Sequence, residues 1–102
     1  AAMEKQRLMW EQFCQKYSGR LSAEETRAGR EEALQMLEKK DTLPPIRLKI
    51  AKYISDGYTL ERNLPKALEY LEIARDADPE SQAAKKLEPW IDNMRKHINQ
   101  EK

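Results

Sequence analysis

The stretch that decides the fold is Lys66-Ala-Leu-Glu-Tyr-Leu-Glu72, which closely repeats Glu32-Ala-Leu-Gln-Met-Leu-Glu38 at an offset of 34 residues. In both stretches apolar side chains recur at the spacing of one helical face. Four of the seven positions are identical, which is harder to obtain by chance than a shared helical period. Internal repetition at a period of roughly 20–50 residues is typical of stacked structural units. We therefore expect two related helices in equivalent places of successive units.

A second alignment, at an offset of 37 residues, relates the other helices of the chain. It superposes three sets of apolar positions: Met9, Ile46 and Ala83; Phe13, Ile50 and Leu87; and Tyr17, Ile54 and Ile91. The chain then consists of two helical hairpins followed by the first helix of a third unit. The predicted fold class is all-α, a short α-solenoid of about five helices in antiparallel hairpins.

Signals at helix ends place these hairpins within one domain spanning residues 1–102. Ser22 and Glu25 have the spacing of a capping box, in which each side chain satisfies a free amide at a helix start. Proline is tolerated in a first helical turn, so Pro44-Pro45 indicates the start of another helix, and Asn63 can cap a further helix that has Pro65 in its first turn. We expect hairpin 1 over about 3–40, hairpin 2 over about 45–77 and a C-terminal helix over about 79–99.

Four single residues carry further structural expectations. Gly57 is expected to end the third helix in a turn with positive φ. Asp78 followed by Pro79 predicts the start of the fifth helix, and Pro89 predicts a kink or interruption within it. Cys14 lies on the apolar stripe of the first helix, so we expect a buried small hydrophobe rather than a nucleophile.

The second hairpin also carries a pattern of small, aromatic and turn residues: Ile50, Ala51, Ile54, Gly57, Leu60, Asn63, Lys66, Ala67, Tyr70, Leu71 and Ala74. This pattern resembles a Sel-like repeat, a relative of the tetratricopeptide repeat with a longer turn between its helices. Thr59, Ile73 and Arg75 depart from the repeat. The resemblance covers about residues 46–78 between two degenerate units, and it implies a protein-interaction module or adaptor within a larger assembly.

Composition excludes several classes of function. The 102 residues include 19 Lys and Arg against 18 Asp and Glu, with one Cys and one His. A single cysteine excludes an internal disulfide, and these two residues leave no zinc ligand set, so we expect no metal or cofactor. Because no nucleophile–base pair is apparent, we expect no enzyme. The near-zero net charge disfavours a nucleic-acid binder, and no apolar run is long enough to insert into a membrane.

The compartment is not determined by the sequence. A single thiol favours the cytoplasm, whereas an export signal removed upstream of Ala1 would allow a periplasmic or exported protein.

One charge feature points to a binding site. From Pro44 to Ser55 the chain has basic residues and no acidic ones. In stacked hairpins the first helices line the concave face, and the 37-residue alignment places Lys49 with Gln12 and Lys86, and Lys52 with Gln15. We therefore predict a partner-binding groove for an acidic peptide or partner helix, lined by Gln12, Gln15, Lys49, Lys52 and Lys86. An ordinary solvated charged face remains the alternative interpretation.

Other interpretations also stay open. The C-terminal helix, through the surface near Trp90, Ile91 and Met94, allows a self-associating structural domain. A more remote alternative is a small nucleic-acid-binding protein that uses the basic patch. Tyr53, Tyr58 and Tyr70 are expected to be packing residues rather than partner anchors, and His97 is expected to interact with the negative end of the last helix.

Overall fold

The computed structural model describes residues 2–100 of the chain, with side chains from Met3 onward. Five helices follow one another: α1 (Ala2–Lys16), α2 (Ala23–Glu38), α3 (Pro44–Leu60), α4 (Leu64–Ala77) and α5 (Gln82–Gln100). No strand occurs among these residues, so the prediction of an all-α fold is confirmed.

Two helix starts are capped as their sequences predict. At the start of α2 the Ser22 hydroxyl accepts the Glu25 amide at 3.1 Å, and the Glu25 carboxylate accepts the Ser22 amide at 3.1 Å. At the start of α4 the Asn63 side chain accepts the Lys66 amide, with a proline in the first turn. Each cap satisfies amides that have no partner within the helix, which fixes where the helix begins.

The end of α3 differs from the prediction. The helix continues through Gly57, whose φ is not positive, and ends at Leu60. The chain is turned instead by Arg62, with φ of 61°. The amide of Asn63 donates to the Tyr58 carbonyl at 2.9 Å, and the amide of Arg62 donates to Thr59 at 3.0 Å. These two bonds form a Schellman motif, so Arg62 takes the position usually held by glycine.

The start of α5 also lies later than expected. Residues 78–81 form a turn, and the helix begins at Gln82, where the Ser81 hydroxyl accepts the Ala84 amide at 3.1 Å. Ser81 therefore caps the helix in place of Asp78. The helix is uninterrupted at Pro89, an exposed position at which water can reach the carbonyl left without an amide partner.

The central helix of the structure is α3, which contributes to two hydrophobic clusters. Leu48 and Ala51 pack with residues of α4 and α5, whereas Ile46, Ile50 and Ile54 pack with residues of α1 and α2. The three-residue turn after α3 makes α4 its antiparallel neighbour, and the buried Ser55 hydroxyl crosses to the Ala67 carbonyl at 2.7 Å.

Most of the predicted core positions are buried. Phe13, Ile50 and Leu87 are buried together with Ile54 and Ile91, and Tyr17 is half-buried. The alignment is wrong at its first position. Met9 and Ala83 are exposed, and their following residues, Trp10 and Ala84, are buried instead. Because successive helical residues are about 100° apart, a shift of one residue moves a side chain off the packed face.

Helix α1 is held by aromatic side chains. The rings of Trp10 and Phe13 stack at 5.0 Å, and the Tyr53 ring of α3 meets both edge-on at 5.9 and 5.0 Å. Gly29 of α2 lies against this cluster. A Cβ at that position would lie 2.6 Å from the Tyr53 hydroxyl and 3.1 Å from the Tyr17 ring. The close approach of α2 to these rings therefore depends on glycine.

Helices α1 and α2 run antiparallel, and polar contacts join the two ends of α1 to the middle of α2 and to the loop that follows α2. At the C-terminal end of α1, Lys16 and Tyr17 contact the Glu32 carboxylate at 3.2 and 2.7 Å. Near its N-terminal end, Gln6 donates to the Asp41 carbonyl and accepts the Leu43 amide. An open groove lies between these bridges.

Candidate interaction surfaces

The first candidate surface combines solvent-facing residues of α3 and α5. We call it the basic face and define it by Lys49, Lys52, Lys86 and Trp90. Lys49 and Lys52 are three residues apart on the side of α3 opposite its core positions, and Lys86 and Trp90 are four apart on α5. Such spacings put each pair on one side of its helix. One contact between the two helices is observed on this face, from Lys52 to Trp90, and the grouping of Lys49 and Lys86 with them stays a prediction.

Lys52 joins the two helices of this face. Its ammonium lies 3.0 Å from the Asp56 carboxylate and 5.2 Å from the centre of the Trp90 ring. Asp56 directly follows the acid-free run that ends at Ser55, and it was not included in the predicted site. The cation–π contact is worth about 0.5–1 kcal/mol at an exposed site. Lys52 therefore positions Trp90 more than it supplies a free charge.

Trp90 itself remains 55% exposed. Beside it is a cavity of about 370 Å³ whose lining includes the apolar side chains of Leu71 and Met94 and the polar side chains of Asn93 and His97. His97 is exposed and faces this cavity, in addition to lying in the last turn of α5. Ile91, one of the aligned core positions, is fully buried and does not contribute to this surface. The accessible apolar surface of α5 is therefore centred on the indole ring.

Cys14 is exposed, so the prediction of a buried thiol is wrong. It lies at the edge of the aromatic stripe of α1 rather than in its centre. Partial burial raises the pKa of the thiol, and the nearby charge of Lys49 opposes that increase. The thiol is thus largely protonated at neutral pH, when it is a poor nucleophile.

Gln12 and Gln15 are the two residues of α1 in the predicted site. Gln12 lines the groove between α1 and α2, about 200° around the helix from Cys14. Gln15 is exposed, and its backbone carbonyl accepts the Ser18 hydroxyl at 2.9 Å at the end of the helix. The structure therefore does not place Gln12 beside Lys49, which lies near Cys14.

The second candidate surface is the α1–α2 groove, which the sequence argument missed. It consists of two adjoining cavities of about 320 and 460 Å³, which share Met9, Met36 and Lys39. Its apolar lining comprises Met9, Phe13, Met36, Ile46 and Ile50, and its polar rim includes Lys5, Gln12, Gln35 and Lys39. The periodicity of α1 predicted that Met9 is buried, so it did not indicate that this side chain lines an open groove.

The tyrosines have packing partners, as expected. Tyr53 belongs to the aromatic cluster of α1, and Tyr58 stacks with Tyr70 at 5.8 Å. Arg30 of α2 covers the Tyr58 ring at 4.4 Å and forms an ion pair with Glu61. This contact joins α2 to the end of α3. The hydrogen bond from Arg30 lowers the pKa of Glu61 and raises that of Arg30.

Within residues 2–100 no group of three or more His, Cys, Asp and Glu is placed to hold a metal ion. None of the five helices combines the length and apolar character that a membrane crossing needs.

Comparison with known proteins found no similar family, curated protein or solved structure. The residues and geometry described above therefore carry the functional argument.

Proposed function

We propose that this chain is a protein-interaction module that uses the basic face to bind an acidic segment of a partner. The observation that carries the proposal is the half-exposed Trp90 ring, positioned by Lys52 and flanked by Lys49 and Lys86. Tryptophan is enriched among the residues that dominate binding energies at interfaces. Surrounding cations accelerate encounters with an acidic partner and select its orientation.

We also propose that the five helices are a short α-solenoid of the Sel-like or tetratricopeptide-like type, with α5 as the first helix of a third unit. Equivalent burial at the repeated positions supports this proposal. Ala33 and Ala67 have no exposed surface, and Leu34 and Leu68 are both half-buried. Small residues at helix crossings allow the close packing on which stacked hairpins depend.

The test is capture of a partner by the full chain and by a charge-reversed variant, Lys49→Glu with Lys86→Glu. Both lysines are exposed, so the variant should retain its helical content and melting temperature. We expect it to lose the partner that the unmodified chain captures, and we expect Trp90→Ala to weaken capture at least about tenfold.

The matched control is Lys85→Glu with Lys96→Glu, which makes the same change in net charge at exposed positions of α5 outside the basic face. Capture should be nearly unchanged in this control. Equal loss in both variants would show that only net charge matters. Retention of the partner by the Lys49 and Lys86 variant would contradict the proposed site.

The alternatives predict different measurements. Self-association through α5 predicts a dimer in sedimentation experiments that Trp90→Ala disrupts. Nucleic-acid binding predicts an affinity for RNA or DNA that falls steeply with salt, because bound counterions are released from phosphates. Neither behaviour is expected for a module that recognises an acidic protein segment through an aromatic anchor.

A further inference from the structure

We propose that the α1–α2 groove is a second docking site, which binds an amphipathic helix of a partner protein with acidic residues at one end. The groove is separate from the basic face, because Met9, Gln12 and Lys16 lie on the opposite side of α1 from Cys14 and its neighbour Lys49.

The shape of the groove favours a helix. Its walls are the antiparallel helices α1 and α2, polar contacts border it near both ends of α1, and α3 contributes Ile46 and Ile50 to its floor. From Lys5 to Lys16 the α1 wall is about 16 Å long, given the rise per residue of an α-helix, which matches about three turns of a bound helix. A row of side chains on one helix fits the groove between two others. The apolar side chains of such a ligand would recur at intervals of three and four residues.

The floor suits an apolar ligand of this kind. Ile46 and Ile50 are almost completely buried beneath the groove, whereas Met9 is 38% exposed at its side. Methionine side chains are flexible and polarizable, so Met9 and Met36 can adjust to the side chains of a ligand. Gln12 and Gln35 line the second cavity and provide hydrogen-bonding groups at its rim.

Charge distinguishes the two ends of the groove. At one end Lys16 is already paired with Glu32. Toward the other end, Lys5 lines the first cavity and Lys39 lies where the two cavities adjoin. Neither lysine forms an ion pair with any described residue, and Arg47 reaches the Lys39 carbonyl at 3.2 Å. Asp41 is the carboxylate among the residues lining that end. The excess of positive charge therefore complements acidic residues in the terminal turn of a ligand.

The negative end of a helix dipole adds to this complementarity. A ligand that ends in glutamates places both its acidic side chains and its unpaired carbonyl groups at one end. We therefore expect the C-terminal turn of the bound helix to lie between Lys5 and Lys39, with the apolar stripe against Met9 and Met36.

The test uses a synthetic helix of about 14 residues, roughly four turns, with leucines along one face and glutamates in its last turn. A second peptide has lysines in place of these glutamates. Binding is measured with the full chain by fluorescence anisotropy. We expect the glutamate peptide to bind, its affinity to fall with added salt, and the lysine peptide to bind at least about tenfold more weakly.

Two variants separate charge from apolar contact. Lys5→Glu with Lys39→Glu should lower the affinity for the glutamate peptide at least about tenfold. It should also reduce the preference for this peptide over the lysine peptide. Met9→Glu should lower the affinity for both peptides because it removes part of the apolar wall. The control Lys85→Glu with Lys96→Glu should change affinity by less than about twofold. All five positions are exposed, so each variant should fold. Circular dichroism checks this.

Backbone NMR of the full chain locates the bound peptide. Amide shifts at Met9, Gln12, Gln35 and Met36 are expected. Shifts centred on Trp90, equal binding of the two peptides, or no binding of either peptide would overturn the proposal. Laurate that displaces the peptide and shifts the same amides at a lower concentration would assign the groove to anionic amphiphiles instead. A dimer disrupted by Met9→Glu would assign it to a second copy of the chain.

Discussion

Replacing Gly29 with alanine tests the close contact of α2 with the aromatic cluster. The added Cβ would lie 2.6 Å from the Tyr53 hydroxyl and 3.1 Å from Cδ1 of Tyr17. Both distances are shorter than ordinary van der Waals contact. Neither ring can move freely, because Tyr53 meets Trp10 and Phe13 edge-on and the Tyr17 hydroxyl donates to Glu32. The substitution should therefore push α2 away from α1 and α3.

Gly57 provides a matched comparison. It also lies within a helix, but a Cβ there would have Arg30 Nη1 as its nearest neighbour at 3.9 Å. Alanine gains about 0.5–1 kcal/mol over glycine in a helix at either position, because it restricts the unfolded chain. Overpacking costs about 1–3 kcal/mol only at Gly29. The free energies of unfolding of the two variants should thus differ by about 1–3 kcal/mol. The free energy of unfolding of Gly57→Ala should be higher than that of the parent chain.

Urea and thermal unfolding followed by circular dichroism measure this difference. At about 4–8 °C per kcal/mol for a domain of this size, Gly29→Ala should melt roughly 4–24 °C below Gly57→Ala. Adding Tyr53→Phe to Gly29→Ala removes the nearest atom and should restore part of the loss. If the two alanine variants have the same melting temperature, the interhelical approach at Gly29 is not as close as described.

Three further predictions concern the end of α3 and its ion pair. Arg62→Gly should raise the free energy of unfolding by up to about 1 kcal/mol, because the left-handed conformation is strained for a residue with a Cβ; a lower value from urea unfolding would contradict this. Arg30→Ala should lower stability by about 1 kcal/mol through loss of the contact with Tyr58, whereas exposed Arg20→Ala should change it by less than about 0.5. The pKa of Glu61 is lowered by Arg30 and that of Glu32 by Tyr17 and Lys16, so both are lower than in the unfolded chain. The stabilisation from these two carboxylates is then fully present above the ordinary glutamate pKa and is lost as the pH falls through their lower pKa values in the folded chain. Glu61→Gln should make the free energy of unfolding, measured with urea, depend less on pH in the acid range.

Local signals in the sequence predict local structure well. The caps at Ser22 and Asn63 depend on side chains within three residues of the amides they bind, so the sequence contains both partners. The end of α3 was placed wrongly because a glycine suggested the stop, whereas the backbone adopts positive φ at Arg62. A Schellman motif is defined by backbone hydrogen bonds, and an arginine at its left-handed position is not recognisable from composition.

The candidate sites were predicted only in part, because a repeat alignment does not fix how each helix is rotated. It grouped Lys49, Lys52 and Lys86 on one surface, and the structure adds a contact between Lys52 and Trp90. It also assigned Gln12 to that surface, but α1 is turned so that Gln12 faces α2. Helical periodicity identifies the packed side of α1 and leaves open which neighbour each edge of that side faces. The α1–α2 groove depends on that rotation, so it becomes visible only in three dimensions.

The attachment of α1 implies a hierarchy of stabilities within this small domain. Three aromatic residues and a few polar bridges hold α1, whereas α3 is packed on several sides. Partial opening that releases α1 alone should require less free energy than global unfolding, so its amides should exchange with deuterium before those of α3 and α4. Trp10 lies on the detaching helix and Trp90 on α5, so the fluorescence of Trp10 in a Trp90→Phe variant would report the early step on heating. We therefore expect the first helix to detach and return while the remaining four helices stay folded.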